Sequence, residues 1–167
     1  MSGPIRILGL DPGLRRTGWG VICLDGSRLS HLEHGVIRPE ESLPLYGRLL
    51  ALFREVRKIV NRFNPDEAAV EESFATANGS STLKLGHARA AAMIAAADAG
   101  LSVAEYAARA VKQALAGSGA AEKHQVAFMV SRLLPTAGTP SADAADALAV
   151  AITHAHSRTE FSSKAMA

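Results

Sequence analysis

The chain has 167 residues, 48% of them hydrophobic and 20% charged, with 18 Lys and Arg against 16 Asp and Glu for a net charge of +2. One soluble globular domain with a real core fits that length and composition. The N-terminus shows no secretion signal, and no uncharged apolar run approaches the roughly 18 residues that cross a bilayer. Cys23 is the single cysteine, which excludes an internal disulfide and a cysteine zinc site and points to a reducing cytoplasm with no membrane partner.

The run Ile7-Leu8-Gly9-Leu10 leads into Asp11-Pro12-Gly13. A short apolar run closed by turn residues predicts a buried strand, with Asp11 at its end and its carboxylate in a cleft. Taken alone, Asp-Pro-Gly also fits a plain turn. Residues 17–24 and 28–37 read as strands joined at Asp25-Gly26, a hairpin signal. With the first run they predict a three-stranded antiparallel meander, with Trp19 packed inside and Cys23 filling strand two.

Leu45, Leu49, Leu52, Phe53, Val56, Ile59, Val60 and Phe63 recur at steps of three and four. They predict one face of an amphipathic helix, opened near Ser42 and Pro44 and closed by Asn64-Pro65. Arg48, Arg54, Arg57, Lys58 and Arg62 fall on its other faces, as a solvated surface. A strand over 67–72 follows, then a small-residue loop over 73–80 carrying Phe74. An Ala-rich helix over about 81–97 offers a smooth surface, suited to tight internal packing or to a dimer interface. Next come a fifth strand over 101–106 and helices around 108–115 and 122–134. A last helix opens at Ser141 and reaches about His156. The pattern predicts a five-stranded mixed α/β sheet, three antiparallel strands then parallel additions, with helices on both faces. One domain spans 1–157, followed by a frayed tail over 158–167.

Asp143 and Asp146, three apart on the last helix, share a face. Acids near a helix start also serve as caps for its dipole, but the surrounding Ala, Leu, Val and Ile mark this helix as buried. Buried carboxylates need a cation. Glu71 and Glu72 end the fourth strand, and alternation sends them to opposite sides, so one of the two shares the cleft with Asp11; spacing does not choose between them. Converging carboxylates repel and rise in pKa unless divalent metal neutralises them. All-oxygen ligands favour Mg²⁺ or Mn²⁺ over zinc, and two such ions suit in-line attack of water on a phosphodiester. Four acids committed to metal would leave 18 basic side chains against 12 acids, a balance that favours a polyanion. The six histidines form no ligand pattern; most belong on the surface, with His154 a candidate for supporting the acids from behind.

Read together, these segments resemble the RuvC family of crossover junction endonucleases. The resemblance is carried by the run from Ile7 to Gly13, Thr17-Gly18-Trp19-Gly20, Val70-Glu71 leading to Phe74, and Leu83-Lys84-Leu85-Gly86. It continues through Glu105 to Arg109, Val111-Lys112-Gln113, Ala121-Glu122-Lys123 and Asp143 to Ala149, in unbroken order over about residues 5–156. The resemblance implies an RNase H-like fold and a homodimer that cuts Holliday junctions with Mg²⁺ or Mn²⁺. Each subunit would nick one of two strands of like polarity, alongside the branch-migration helicase proteins RuvA and RuvB. Position by position it implies Asp11, Glu71, Asp143 and Asp146 as catalytic, metal-binding acids, which selects Glu71 over Glu72. It implies Lys112 and Lys123 as phosphate-binding residues and Phe74 as the aromatic pressed against bases at the crossover. Glu72, where Gln is common, and Ala75, where some relatives carry a second aromatic, depart from the pattern.

Three rivals stand beside this reading. An RNase H-like nuclease acting on RNA, such as the YqgF group, would share the fold. An ATPase of the actin-like superfold would need two lobes. A junction-binding protein without catalysis would have no use for four acids.

Overall fold

The computed structural model describes residues 3–72 and 78–165, with side chains up to residue 158. Five strands form one sheet in the order β3-β2-β1-β4-β5. β1 (Ile5–Asp11), β2 (Thr17–Asp25) and β3 (Arg28–Ile37) make the antiparallel meander. Gly26 turns the hairpin with φ at +60°, a value that costs glycine little. β4 (Glu67–Glu72) and β5 (Ser102–Ala107) then add in parallel beside β1. The sheet is the one the sequence predicts.

Helices cover both faces, as expected for a central strand apolar on both sides. On one face, α1 (Leu45–Phe63) sets Leu52, Val56, Ile59 and Val60 against Leu8, Leu10, Val21 and Val70. It ends where Asn64 takes φ at +44° and its N–H bonds the Val60 carbonyl at 2.9 Å, with Pro65 next. α2 (Gly79–Asp98) joins this layer through Ala88, Ala92, Ala95 and Ala96, all fully buried. One side of the Ala-rich helix therefore does pack internally. The other side exposes Leu83 and Ile94, three turns apart on one stripe.

The opposite face belongs to α5 (Ala142–Ala165), whose Leu148, Val150 and Ile152 meet Ile7, Ile22 and Ala69. α3 (Ala108–Ala116), α4 (Lys123–Leu133) and the 3-10 turn Pro135–Ala137 close over it. No helix among the described residues is long and apolar enough to cross a membrane.

Three expectations shift. α5 runs on past His156 to Ala165, since no Gly or Pro interrupts 157–165. α2 starts earlier than residue 81, because the Asn78 Oδ1 accepts from Ser80 N at 3.0 Å and Ser81 N at 3.4 Å, the bonds of an N-cap. Arg48 is not part of a solvated face: it donates through Nη2 to the Leu14 carbonyl at 3.2 Å, and its Nε is buried with no hydrogen-bond partner. Arg57 stays in the surface set, paired there with Asp98 at the end of α2.

Candidate active site

The acids come together because a helix lies almost directly on the sheet. Gly9 and Gly20 face each other across β1 and β2, and Gly18 sits opposite Asp11. A Cβ on Gly9 would overlap the Ala147 carbonyl, and one on Gly18 would overlap the Asp143 carbonyl. Only hydrogen fits there. Backbone therefore meets backbone, and the first turns of α5 are pressed against the end of β1. Ser141 opens the helix, its Oγ accepting from Ala144 N at 3.4 Å and its carbonyl from Ala145 N at 2.8 Å. Thr17, fully buried, fastens the turn after Asp11 by accepting from Gly13 N at 3.2 Å and donating to Gly13 O at 2.9 Å.

The strand register does the rest. Leu10 pairs with Val70 in the parallel ladder, so Asp11 and Glu71 leave the sheet side by side. Together with Asp143 and Asp146 they line a cleft of about 230 Å³, walled also by Lys112 and Lys123. Glu71 lines this cleft and Glu72 does not, which answers by alternation what spacing left open. Six of the seven residues singled out in the sequence thus converge. Phe74, the seventh, lies outside the described residues.

The electrostatics of the cleft are those of crowded anions. Burial, then the charges of Asp146, Glu71 and Asp143, push the Asp11 carboxyl up to about 7 from its ordinary 3.8. Glu71 is pushed up too, by burial first and Asp146 second, against the pull of Lys123 and Lys112. Lys123 donates from Nζ to the Asp146 Oδ2 at 3.1 Å, and that bond raises its own pKa. Arg16 stands 3.6 Å from the Asp143 Oδ2. Among the described residues no three acidic, His or Cys side chains form a ready coordination shell; two of these four carboxylates are held by Lys123 and Arg16. The donor set is all oxygen, at the C-terminal ends of two strands and the start of one helix. It fits a hard divalent cation.

Behind the acids lies a cluster that sequence reasoning reached only in part. His154, fully buried, faces Tyr106 Oη at 2.8 Å through Nδ1 and Glu67 Oε2 at 2.7 Å through Nε2. Arg158 donates from Nη2 to Glu67 Oε1 at 2.9 Å. His154 thus supports β4 at its far end, through Glu67 and Tyr106. Arg16 was missed entirely; the pair Arg15-Arg16, one residue past the Asp-Pro-Gly turn, was its only signal.

Residues 7–154 match the family profile described as crossover junction endodeoxyribonuclease RuvC. A protein of that name from Caulobacter sp. (strain K31) is 64% identical over 155 residues, 93% of this chain and 92% of that protein. The solved structure of Thermus thermophilus RuvC in complex with a Holliday junction substrate superposes with a TM-score of 0.87 at 36% identity, covering 93% of this chain and 96% of that one. The yeast mitochondrial Holliday junction resolvase shares the fold at a TM-score of 0.65 and 12% identity, covering 95% of this chain and 85% of that one. Fold, ordered motifs and acid cleft agree, and the chain belongs to the RuvC family of crossover junction endodeoxyribonucleases.

Proposed function

We propose that this chain resolves four-way DNA junctions, hydrolysing one phosphodiester in each of two strands of like polarity with divalent metal held by Asp11, Glu71, Asp143 and Asp146. One observation carries the reading: Asp11, half-buried, shares one cleft with three other carboxylates and is pushed up to about 7. A fold gains nothing from that arrangement unless cations take the place of protons. Mg²⁺ or Mn²⁺, when bound, activates water and stabilises the leaving oxygen. The chain's own residues do the placing. Asp11 and Glu71 project from adjacent strand ends and set one wall; Asp143 and Asp146, one helical turn apart, set the other. Lys112, on α3, and Lys123, at the start of α4, flank the cleft, where they hold phosphates of the cut strand and draw the polyanion toward four acids that would repel it. Phe74 presses against bases at the crossover.

Symmetric nicking requires two cleavage sites, and a homodimer supplies them. The exposed Leu83 and Ile94 stripe on α2 supports pairing through that helix. RuvA and RuvB would deliver the branched substrate. The RNA-directed alternative rests on the same acids and differs in substrate. The deciding experiment incubates a synthetic four-way DNA junction and a matched RNA duplex with the protein, with and without Mg²⁺, resolving products strand by strand. Metal-dependent paired nicks in the DNA are expected, with loss of at least about 10³-fold in Asp11→Asn at unchanged junction binding. Preferential RNA cleavage, or full-rate cutting by Asp11→Asn, would overturn the reading.

A further inference from the structure

Arg16 stands beside one of the four acids and lines a second cleft. Its Nε is 3.6 Å from the Asp143 Oδ2, and its side chain is 61% exposed. That cleft, of about 520 Å³, it shares with Arg15, Arg48 and Lys84. Asp143 is the wall shared between that cleft and the acid site. The second cleft is lined from the loop after β1 and from α1 and α2, while Lys112 and Lys123 reach the acid site from α3 and α4. Four cations around one carboxylate make a basic hollow. Arg48 strengthens it: one nitrogen is spent on the Leu14 carbonyl and its buried Nε meets no partner. So much positive charge suits a row of phosphates.

The Arg16–Asp143 pair is exposed and loosely held, and pairs of that kind contribute at most about a factor of five. A divalent cation on Asp143 would displace it readily, by taking the carboxylate and by repelling the guanidinium. We propose that Arg16 is a placeholder cation: it holds Asp143 until a divalent ion takes that carboxylate, then pairs with a DNA backbone phosphate in the cleft it shares with Arg15, Arg48 and Lys84. The inference rests on the metal-dependent junction reading above. Its consequence is reciprocal coupling through one side chain. Metal frees Arg16 for DNA, and DNA, by drawing Arg16 away, clears Asp143 for metal.

The test reads binding, not cleavage. Mn²⁺ is titrated into the full chain without DNA, and junction affinity is measured in Ca²⁺ and in EDTA over a range of salt. Arg16→Gln should bind Mn²⁺ about two- to five-fold more tightly than the parent chain. It should bind the junction more weakly in Ca²⁺, with a salt slope shallower by about one phosphate contact. The gain in junction affinity that Ca²⁺ gives the parent should shrink. Arg16→Lys should restore most of that gain, and Arg54→Ala, on the exposed face of α1, should move none of these quantities. Unchanged Mn²⁺ affinity in Arg16→Gln, or an undiminished Ca²⁺ gain, overturns the placeholder role while leaving the metal reading in place. A parent chain whose Mn²⁺ binding is indifferent to Asp143→Asn removes the metal reading itself, and this inference with it.

Discussion

β4 carries a glutamate at each end, both facing α5, and the two ends have opposite chemistry. At the start of the strand, Glu67 meets His154 and Arg158. Burial would raise its carboxyl, but hydrogen bonds from Arg158 and His154 more than reverse this, and its pKa ends below the ordinary value. His154 is kept neutral by burial, against the pull of Glu67. A neutral ring donating from Nε2 to Glu67 and accepting the Tyr106 hydroxyl at Nδ1 leaves no polar atom unsatisfied. At the end of the same strand, Glu71 meets acids, and both Glu71 and Asp11 are driven toward their neutral forms. One cluster is complete; the other is short of positive charge. The difference separates a charge that stabilises the fold from one kept for a ligand.

Asp11→Asn breaks this contrast most strongly. Beyond the loss of cleavage, it should stabilise the metal-free protein. Asp11 titrates near 7 in the fold against an ordinary 3.8, so the folded state holds the proton more tightly. Its contribution is full below about pH 4 and is lost as pH rises through 7. Thermal unfolding at pH 8 in EDTA should therefore show the variant ahead by up to about 4 kcal/mol, an advantage that saturating Mn²⁺ removes by stabilising the parent. Parent and variant curves that superpose from pH 4 to 8 would show that Asp11 is not strained by its neighbours.

Gly18→Ala attacks the placement of the acids and leaves their chemistry alone. The new methyl would meet the Asp143 carbonyl, so α5 must lift from β2 by a fraction of a helix diameter. Overpacking of this kind costs about 1–3 kcal/mol, and a shift of roughly 1 Å in Asp143 should slow cleavage about 100-fold. Glu67→Gln tests the complete cluster. It should cost about 2 kcal/mol of stability and leave cleavage per folded molecule near that of the parent. The lowered pKa values of Glu67 and His154 stabilise the parent above their ordinary values of 4.5 and 6.5 and fade as pH falls through the folded ones. The variant's stability should consequently depend less on acidification. A large loss of cleavage there would tie the two ends of β4 together functionally.

How much of this was legible in the sequence depended on the distance over which each signal acts. Strand and helix identities rest on local periodicity, so Ile5–Asp11, Arg28–Ile37 and Glu67–Glu72 emerged nearly as read. Asp143 and Asp146 were legible because three-residue spacing and an apolar helix are both local facts. The choice of Glu71 over Glu72 was not, since it depends on the parallel register with β1; only the family resemblance supplied it. The glycines at 9, 18 and 20 could be read as strand residues, but their purpose appears only when α5 is laid across them. Arg48 looked solvated because its helix position ignores the Leu14 carbonyl, which is far away in sequence and adjacent in space. His154 looked like a surface or supporting residue for the same reason: Tyr106 and Glu67 come from two other strands.

Lys112→Ala gives the smallest effect and sharpens the contrast from the cationic side. Lys112 lines the acid cleft and pulls the Glu71 pKa down, so its removal acts in two separable ways. Junction affinity should lose about one phosphate contact, seen as a log–log salt slope shallower by about 0.9. Meanwhile Glu71 should hold its proton to higher pH, so Mn²⁺ binding measured without DNA should need a more alkaline midpoint than in the parent. The two readouts distinguish a residue that steers DNA from one that only tunes the acids. A shallower slope with an unmoved metal midpoint makes Lys112 a phosphate contact alone; an unmoved slope with a shifted midpoint takes it out of the DNA path and makes it a counter-ion to Glu71.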